Sequence, residues 1–443
     1  MEDKSAGLTI FGLNGTEISQ VLAAWGGWLL DGYVSIAYLV ALADTGMSKA
    51  FFPAGFGYLR FLLTIIPVTF SAIARSIGST VLGNYLGDRI GRKTLLTVSI
   101  IGFTTFSAAL GLIPSYSQIG IFSPILLYIV LFIVGFFAGA EYGGGAALAL
   151  ESVPENKREP VGAFMQSGYG TGYFLVVYVA ILLSGYLGPT FVTVGWRYLF
   201  LTSLIPGVLT FVIRAASKET KVFNKMKENR EIENSPAVSM IKGSPVKLLY
   251  GLMITTGILF LNTATFSFYP ILGSASSPYF LDIGSRLLDA LLVINFVSLL
   301  GVWFGGYIAR KQKSRRLPML IFSIIFTVPS AAFVLLGFTS DWVIFTVVFS
   351  IQAFLEAMIF STLPSFLSET FSKKYRSTAI GVVYNGGAII GGTALLLLAA
   401  PATLISLKLL WIVELYAASV LLISGLVLSR SYEKHVEGDV INQ

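Results

Sequence analysis

The chain has 443 residues, of which 55% are hydrophobic and only 12% are charged, and its mean hydropathy is +0.79. Soluble proteins carry about 25% charged residues, so an ordinary soluble fold is excluded, and 34 Phe, 20 Tyr and 6 Trp exclude a disordered chain. The net charge of +7 is compatible with nucleic-acid binding, and the positions of the charges decide whether that interpretation holds.

The chain contains no cysteine and one histidine, His435 in the polar C-terminal tail. This composition excludes disulfides, thiolate nucleophiles and cysteine-ligated metals. Because histidine is the side chain that normally titrates near neutral pH, any proton chemistry inside the protein is expected to use carboxylates. We predict no metal, no cofactor and no enzymatic activity, since no ligand cluster or nucleophile–base pair is visible. The polar residues 1–17 do not resemble a cleavable signal.

Twelve apolar segments are each long enough to cross a bilayer, which requires about 20 helical residues. The sequence therefore predicts an all-α membrane protein with twelve transmembrane helices. In chain order the predicted spans are 18–42, 59–86, 94–114, 124–150, 161–184, 196–214, 245–269, 287–310, 317–338, 341–365, 378–400 and 408–429.

The basic residues collect in alternate loops between these spans. One side holds Arg89, Arg92, Lys93, Lys157, Arg158, the Lys and Arg of 214–247, those of 310–316, Lys373, Lys374, Arg376, Arg430 and Lys434, whereas the other side holds Lys49, Arg60, Arg197, Arg286 and Lys408. Such a bias is typical of the cytoplasmic side of membrane proteins. Both termini are therefore predicted to be cytoplasmic in a multi-pass protein of the cell (plasma or inner) membrane, and nucleic-acid binding loses its support.

The longest polar interruption divides the twelve spans into two sets of six. The predicted parts are an N-terminal segment 1–17, a first bundle 18–214, a cytoplasmic linker 215–244, a second bundle 245–429 and a tail 430–443. The same Glu-to-Arg spacing follows the fourth and the tenth spans, in residues 151–158 and 369–376. Two pseudo-symmetric six-helix bundles are typical of transporters, which bind their substrate near the midplane between the repeats.

Four ionisable residues lie deep inside the predicted spans: Asp31, Arg75, Glu141 and Glu356. At 1.5 Å per helical residue each is roughly 15–18 Å from the inner boundary, near the middle of a core of about 30 Å. Arg75 is then the only deeply buried basic residue, and three carboxylates face one guanidinium. Since they cannot all be ionised in a low dielectric, we expect at least one to bind a proton. The alternative is a salt bridge of Asp31 or Glu141 with Arg75 that is purely structural.

Helical periodicity adds polar and aromatic residues to the wall of a predicted central cavity. They recur at intervals of three or four residues on several spans. Any single Tyr or Thr among them is more often a packing contact than a ligand contact, so the prediction concerns the set. Its members are Trp28, Ser35, Tyr38, Gln166, Tyr169, Tyr173, Asn262, Thr265, Tyr269, Gln352, Tyr384 and Asn385.

The segment Gly83–Lys93, between the second and third spans, resembles the signature loop of the major facilitator superfamily. Further stretches, among them Glu141–Gly144, Lys218–Phe223 and Tyr384–Gly392, resemble its metabolite:proton symporters, such as carriers of shikimate, α-ketoglutarate, proline and betaine; sialate- and lactate-type carriers are similar too. The resemblance implies alternating access and a cytoplasmic latch between the halves. The residues implied for this latch are Gly83, Gly87, Asp88, Arg89, Gly91, Arg92, Glu151, Arg158, Glu369 and Arg376.

The sequence departs from that family pattern on two spans. Trp28 stands where an acidic residue is usual, and Leu131 and Val134 stand where Arg and Gln are usual on the fourth span. The missing arginine is tied to proton transfer in related carriers. The resemblance then implies that proton coupling, where it is kept, has moved to Asp31 and Glu141.

The sequence as a whole predicts a secondary active transporter that moves a small organic acid or zwitterion in symport with protons. Arg75 would receive a carboxylate, while Asp31, Glu141 or Glu356 takes a proton or an amine. Alternatives are a proton-coupled exporter of amphipathic cations, a sugar-type carrier, or, in another class, a non-transporting membrane sensor on a transporter fold. The expected partners are the solute, protons and the lipid bilayer, and the protein is expected to be monomeric.

Overall fold

The computed structural model describes residues 12–56, 59–273, 281, 283, 286–399 and 406–439. Part of the predicted N-terminal segment and the last four residues of the predicted tail lie outside the described residues. The first helix begins where Asn14 and Glu17 form a capping box, in which each side chain accepts a hydrogen bond from the other's backbone N–H. This arrangement satisfies backbone N–H groups that a helix start otherwise leaves unpaired.

The helices of the first half cross the bundle with short helical turns between them. They are α1 (Gly15–Asp44), α2 (Met47–Phe51), α3 (Leu59–Leu82), α4 (Arg92–Leu110), α5 (Tyr116–Ile119), α6 (Phe122–Glu151), α7 (Arg158–Leu187), α8 (Phe191–Leu201) and α9 (Leu204–Ala216). A π-helical turn, Gly83–Gly87, follows α3 directly. Short 3-10 turns lie at Ala54–Phe56, Glu155–Lys157 and Gly188–Thr190.

Twelve helices follow in the remainder of the described chain. They are α10 (Lys221–Glu228), α11 (Pro236–Gly243), α12 (Pro245–Ala264), α13 (Phe268–Leu272), α14 (Leu287–Ala309), α15 (Arg316–Thr327), α16 (Ser330–Gly337), α17 (Trp342–Ser361), α18 (Leu363–Thr370), α19 (Arg376–Gly391), α20 (Thr393–Ala399) and α21 (Leu407–Asp439). The predicted seventh span is therefore interrupted at 265–267, between α12 and α13.

The count of spans follows from the lengths of these helices. Ten described stretches are long and apolar enough to cross a membrane, and the bent pair α15–α16 makes eleven. One of the ten, Glu155–Ala216, has 62 residues, about three times the roughly 20 that one crossing needs. Because the turn at Gly188–Thr190 divides it, it holds two crossings. The all-helical membrane fold is confirmed, and the predicted twelve spans follow from this division.

The two halves meet along a few helices. In the first half α1 packs against α7 and α3 packs against α6; across the halves α7 packs against α14, and α19 packs against both α3 and α6. Asn385 on α19 donates a hydrogen bond of 2.9 Å to the backbone carbonyl of Gly139 on α6. These contacts enclose the space between the halves, where the site lies.

Candidate functional site

A cavity of about 200 Å³ lies between the two halves. Its wall is built from α1, α3, α4, α6 and α7 on one side and from α12, α14, α17 and α19 on the other. Asp31 and Arg75 are the charged residues among the described residues that line it. Leu131 and Val134 of α6 also line it, so this part of the wall is aliphatic.

Asp31 and Arg75 form a bidentate ion pair on this wall. Nη1 of Arg75 donates to Oδ2 of Asp31 at 2.7 Å, and Nη2 donates to Oδ1 and, at 3.2 Å, to the hydroxyl of Ser35. Asp31 is fully buried, whereas 17% of the Arg75 side chain is exposed. The guanidinium is thus the member of the pair that can be reached from the cavity.

The aromatic rings of Trp28, Tyr169 and Tyr384 form much of the remaining wall, and Tyr142 packs behind them. The ring centroid of Trp28 lies 4.7 Å from that of Tyr142, 5.3 Å from Tyr169 and 5.5 Å from Tyr384. Because Tyr142 and Tyr384 also stack with centroids 3.6 Å apart, the four rings form one cluster across α1, α6, α7 and α19. Such faces attract cations.

Most of the predicted cavity residues lie on this wall, and three do not. Thr265, Tyr269 and Gln352 are buried behind it, in the second half. The predicted residues that line the cavity are Trp28, Ser35, Tyr38, Gln166, Tyr169, Tyr173, Asn262, Tyr384 and Asn385. Periodicity identifies which face of a helix is polar, but it does not separate a cavity wall from a polar cluster one layer deeper.

Glu356 belongs to that deeper cluster and does not line the cavity. The hydroxyl of Thr265, at the break between α12 and α13, donates to its Oε2 at 2.7 Å, and its Oε1 has no hydrogen-bond partner. One turn away, Gln352 accepts a hydrogen bond of 2.9 Å from Tyr269. No described basic side chain pairs with Glu356, so this carboxyl has no counter-charge.

Glu141 has a partner that the sequence analysis placed elsewhere. Arg214, at the end of α9, donates to both carboxylate oxygens, with 2.9 Å from Nη1 to Oε1, and the hydroxyl of Ser99 donates to Oε1 at 2.6 Å. Arg214 is 1% exposed and also donates to the carbonyls of Ala23 and Leu96. The expectation that Arg75 is the only deeply buried basic residue is therefore wrong, and so is the predicted ratio of three carboxylates to one guanidinium.

Two further buried carboxylates were missed. Glu414 on α21 is 4% exposed, and neither of its oxygens has a hydrogen-bond partner. Its position inside the predicted twelfth span was a sufficient signal. Glu159 at the start of α7 is 1% exposed and lies 3.6 Å from Arg315 of the second half. Glu159 lies just outside a predicted span, where a charged side chain is normally solvated, so its position in the sequence did not indicate that it is buried.

The signature loop contacts the second half at one end of the bundle, which we call the latch end. Asp88 accepts hydrogen bonds from the backbone N–H of Ser377 at 3.2 Å, and from the N–H and hydroxyl of Thr378 at 2.8 and 2.6 Å. Burial raises the pKa of Asp88, although Arg92 and Thr378 act in the opposite direction. Asp88 thus caps the start of α19, where backbone N–H groups are free to bind an anion.

Glu151 joins both halves at the latch end. It accepts hydrogen bonds from Arg92 (3.2 Å to Nε) and from Arg376 of the second half (3.0 Å to Nη1). Arg92 also donates to the carbonyl of Lys373 at 3.0 Å. The first residue of the segment 151–158 thus pairs with the last residue of the repeated segment 369–376. This Glu151–Arg376 ion pair joins the two halves.

The other predicted latch residues have varied surroundings. Glu369 pairs with Arg315 at 3.2 Å, and Arg89 lies over the ring of Tyr85 at 5.7 Å. The backbone carbonyl of Arg158 accepts a hydrogen bond of 3.2 Å from the hydroxyl of Ser365. The glycines permit close approach of the backbone: Gly83 and Gly87 face Thr378 and Ser377, and Gly91 has φ +148°.

Within the part of the chain that the structure describes, no group of three or more His, Asp or Glu residues that could hold a metal ion is found. What the arrangement offers chemically is an accessible guanidinium held by a buried carboxylate, next to aromatic faces. A solute anion competes with Asp31 for the guanidinium N–H groups that the carboxylate already occupies.

Sequence comparison places the chain among transport proteins. A profile described as Major Facilitator Superfamily matches residues 18–395. The inner membrane metabolite transport protein YhjE of Escherichia coli K12 is 29% identical over 350 residues, 77% of this chain and 78% of that protein. The proline/betaine transporter of the same organism is 27% identical over 366 residues, 78% of this chain and 70% of that protein.

Solved structures with the same fold have little sequence in common with the chain. The xylose transporter XylE from E. coli, in a partially occluded inward-open conformation, has a TM-score of 0.70 at 16% identity and covers 95% of this chain and 98% of its own. The human organic anion transporter MFSD10 has a TM-score of 0.64 at 15% identity, covering 94% of this chain and all of its own. Both likenesses support the arrangement of helices described above.

Proposed function

The chain belongs to the major facilitator superfamily, and on that premise we propose that it takes up a small organic acid or zwitterion together with a proton. It is a membrane-embedded secondary transporter and not an enzyme. The solute class and the coupling ion are the parts that we add. They rest on one observation, the Asp31–Arg75 ion pair on the wall of the cavity.

The ion pair supports the coupling of solute binding to proton binding, in which Asp31 exchanges Arg75 for a proton and Arg75 exchanges Asp31 for the solute carboxylate. Breaking a buried pair without replacement leaves an uncompensated charge, which costs about 3–5 kcal/mol. A proton on Asp31 neutralises the carboxylate, and the carboxylate of the solute can then take its place on Arg75. Because neither step is favourable without the other, one proton binds with each solute carboxylate.

The size of the cavity supports a small solute. Its volume is about 200 Å³. Sites for drug-sized ligands occupy roughly 300–1,000 Å³. This difference favours a metabolite of a few carbon atoms over the amphipathic cations that a drug exporter carries.

The sidedness of the protein is part of the proposal. Since the basic loops lie at the latch end, we place that end and both termini in the cytoplasm. The two halves 18–214 and 245–429 then move relative to each other about the linker 215–244 as a monomer. The linker helices contact the latch end: Asn84 accepts from the N–H of Ala237. In this conformation the contacts of Asp88 and Glu151 close the cytoplasmic side.

The proposal is tested by uptake into proteoliposomes with an imposed pH gradient, acid outside. A panel of organic acids, amino acids, betaines and sugars is offered, and we expect accumulation of at least one acid or zwitterion that stops when the gradient is dissipated. Accumulation of a sugar alone, or of a lipophilic cation alone with acid inside, would replace the proposal by one of its alternatives. Saturable binding without any flux would identify a sensor.

A further inference from the structure

Two residues of the cavity wall each keep a buried polar atom without a hydrogen-bond partner. They are the indole Nε1 of Trp28 and the amide Oε1 of Gln166, and the residues are 2% and 6% exposed. Buried polar atoms in proteins are nearly always hydrogen-bonded. Among the described residues that line the cavity, no others have a buried side-chain atom left unpaired. The missing partners therefore indicate what the cavity binds.

The unpaired atoms of Gln352 and Glu356, behind the wall, differ from these two. On α17, Nε2 of Gln352 and Oε1 of Glu356 lack partners, but they are a donor and an acceptor one turn apart on the same face. They can pair after rotation of one side chain. Trp28 and Gln166 lie on different helices, and the ring of Trp28 packs against Tyr169, almost one turn beyond Gln166. Both residues line the cavity, so we take a ligand bound there as their common partner.

The two atoms require ligand groups of opposite kinds. The indole N–H only donates, as does the guanidinium of Arg75, so the group facing Trp28 and Arg75 is an acceptor such as a carboxylate. The carbonyl oxygen of Gln166 only accepts, so it requires an N–H or O–H donor. The faces of the Trp28, Tyr169 and Tyr384 rings favour a donor that is also cationic.

We infer that the cavity selects a zwitterion whose cationic group has at least one N–H, a primary, secondary or tertiary ammonium. Trp28 and Arg75 donate to its carboxylate, and Gln166 accepts from its ammonium. This inference rests on the proposed function and narrows it. A quaternary ammonium, which has no N–H, leaves Gln166 unpaired, and we expect this to weaken binding about tenfold.

An N-methyl series of one small zwitterion tests the inference. Glycine, sarcosine, N,N-dimethylglycine and glycine betaine differ from one to the next by one methyl group and one N–H. Each competes in proteoliposomes, under the acid-outside gradient, against the member that is taken up best. For the unmodified protein we expect the first three to have similar half-inhibitory concentrations, and glycine betaine to be about tenfold weaker.

Two variants assign the effect to the two residues. Gln166→Leu should remove the difference between dimethylglycine and betaine, because the oxygen that distinguishes them is gone. Trp28→Phe keeps a ring and removes the N–H, so all four members should weaken together, by about tenfold. Trp25→Phe is the matched control on the same helix, since the indole N–H of Trp25 already donates to Ser167 at 3.3 Å, and it should leave the series unchanged.

The results separate the inference from the function on which it rests. Betaine that competes as well as dimethylglycine, or propionate that competes as well as glycine, would overturn the inference and leave organic-acid symport standing. If no acid or zwitterion accumulates at all, the proposed function fails first. Should Gln166→Leu not fold, the unmodified protein still gives the decisive comparison of the four compounds.

Discussion

Glu141 and Arg214 form a buried ion pair that lies outside the cavity lined by Asp31 and Arg75. The position of Glu141 in its span predicts that it lies in the same central layer of charge as Asp31 and Arg75. Its carboxylate instead joins α6 to the end of α9 and to Ser99 on α4. The geometry therefore supports a structural role for Glu141 and a transport role for Asp31.

We expect Glu141→Gln to lower the free energy of unfolding by about 3–5 kcal/mol, because it leaves the Arg214 guanidinium buried without a counter-charge. Solute accumulation per folded molecule should keep its dependence on the pH gradient. The measurements are thermal unfolding in detergent and uptake in proteoliposomes. The double variant Glu141→Gln with Arg214→Gln should recover part of the lost stability. A stable single variant with pH-independent uptake would place Glu141 in the coupling path.

For Asp31→Asn we expect the loss of the pH dependence of uptake that Glu141→Gln should retain. The amide cannot bind and release a proton, and Arg75 is left for the solute carboxylate alone. Accumulation driven by the pH gradient should fall at least about tenfold, while exchange of labelled for unlabelled solute continues. Both are measured in the same proteoliposome preparation. Accumulation at the normal level in this variant would show that the proton binds elsewhere.

Glu356→Gln should have little effect on stability, within about 1 kcal/mol. The amide oxygen can accept the hydrogen bond that Thr265 donates to Oε2, and no described cation loses a partner. Thermal unfolding beside Glu141→Gln gives a matched comparison of two buried glutamates, one with a counter-charge and one without. Loss of pH-driven accumulation in a normally folded Glu356→Gln protein would assign the coupled proton to this residue.

The latch end should open when its ion pair across the halves is removed. Arg376→Gln takes one cation from Glu151, and a hydrogen bond to a charged group contributes about 1.5–3 kcal/mol, so the open population should rise at least about tenfold. Spin labels at Asn156→Cys and Ser372→Cys report the distance between the halves, in a chain that has no cysteine of its own. Lys374→Gln, which removes an exposed pair with Glu233, should leave the distance distribution unchanged.

The transmembrane helices could be predicted from the sequence because each of them must be long enough, apolar and internally hydrogen-bonded to cross the bilayer, whatever its neighbours are. Length and apolar content identify such segments without knowledge of their neighbours. The polar faces of α1 and α7 were likewise predicted from periodicity, and Trp28, Asp31, Gln166 and Tyr169 all lie on the cavity wall. These features are local, because each depends on the sequence of one helix only.

The ion pairs between different helices could not be predicted from the pattern of a single helix. Arg214 ends a hydrophobic span, where a basic side chain usually extends to the membrane interface, and nothing local shows that it turns inward to Glu141. Likewise, the pairing of Glu151 with Arg376 depends on how the two halves meet. Which buried carboxylate finds a cation is a property of packing between distant segments.

Arg75 is the only cationic side chain among the described residues that line the cavity. Since Asp31 already balances it, the empty cavity is electrically neutral. If the solute is a zwitterion, each cycle carries one net positive charge, and the membrane voltage contributes about 2.3 kcal/mol per 100 mV to its accumulation. If the solute is a monocarboxylate anion, the cycle carries no net charge. The current across the bilayer during uptake thus reports the chemical class of the solute.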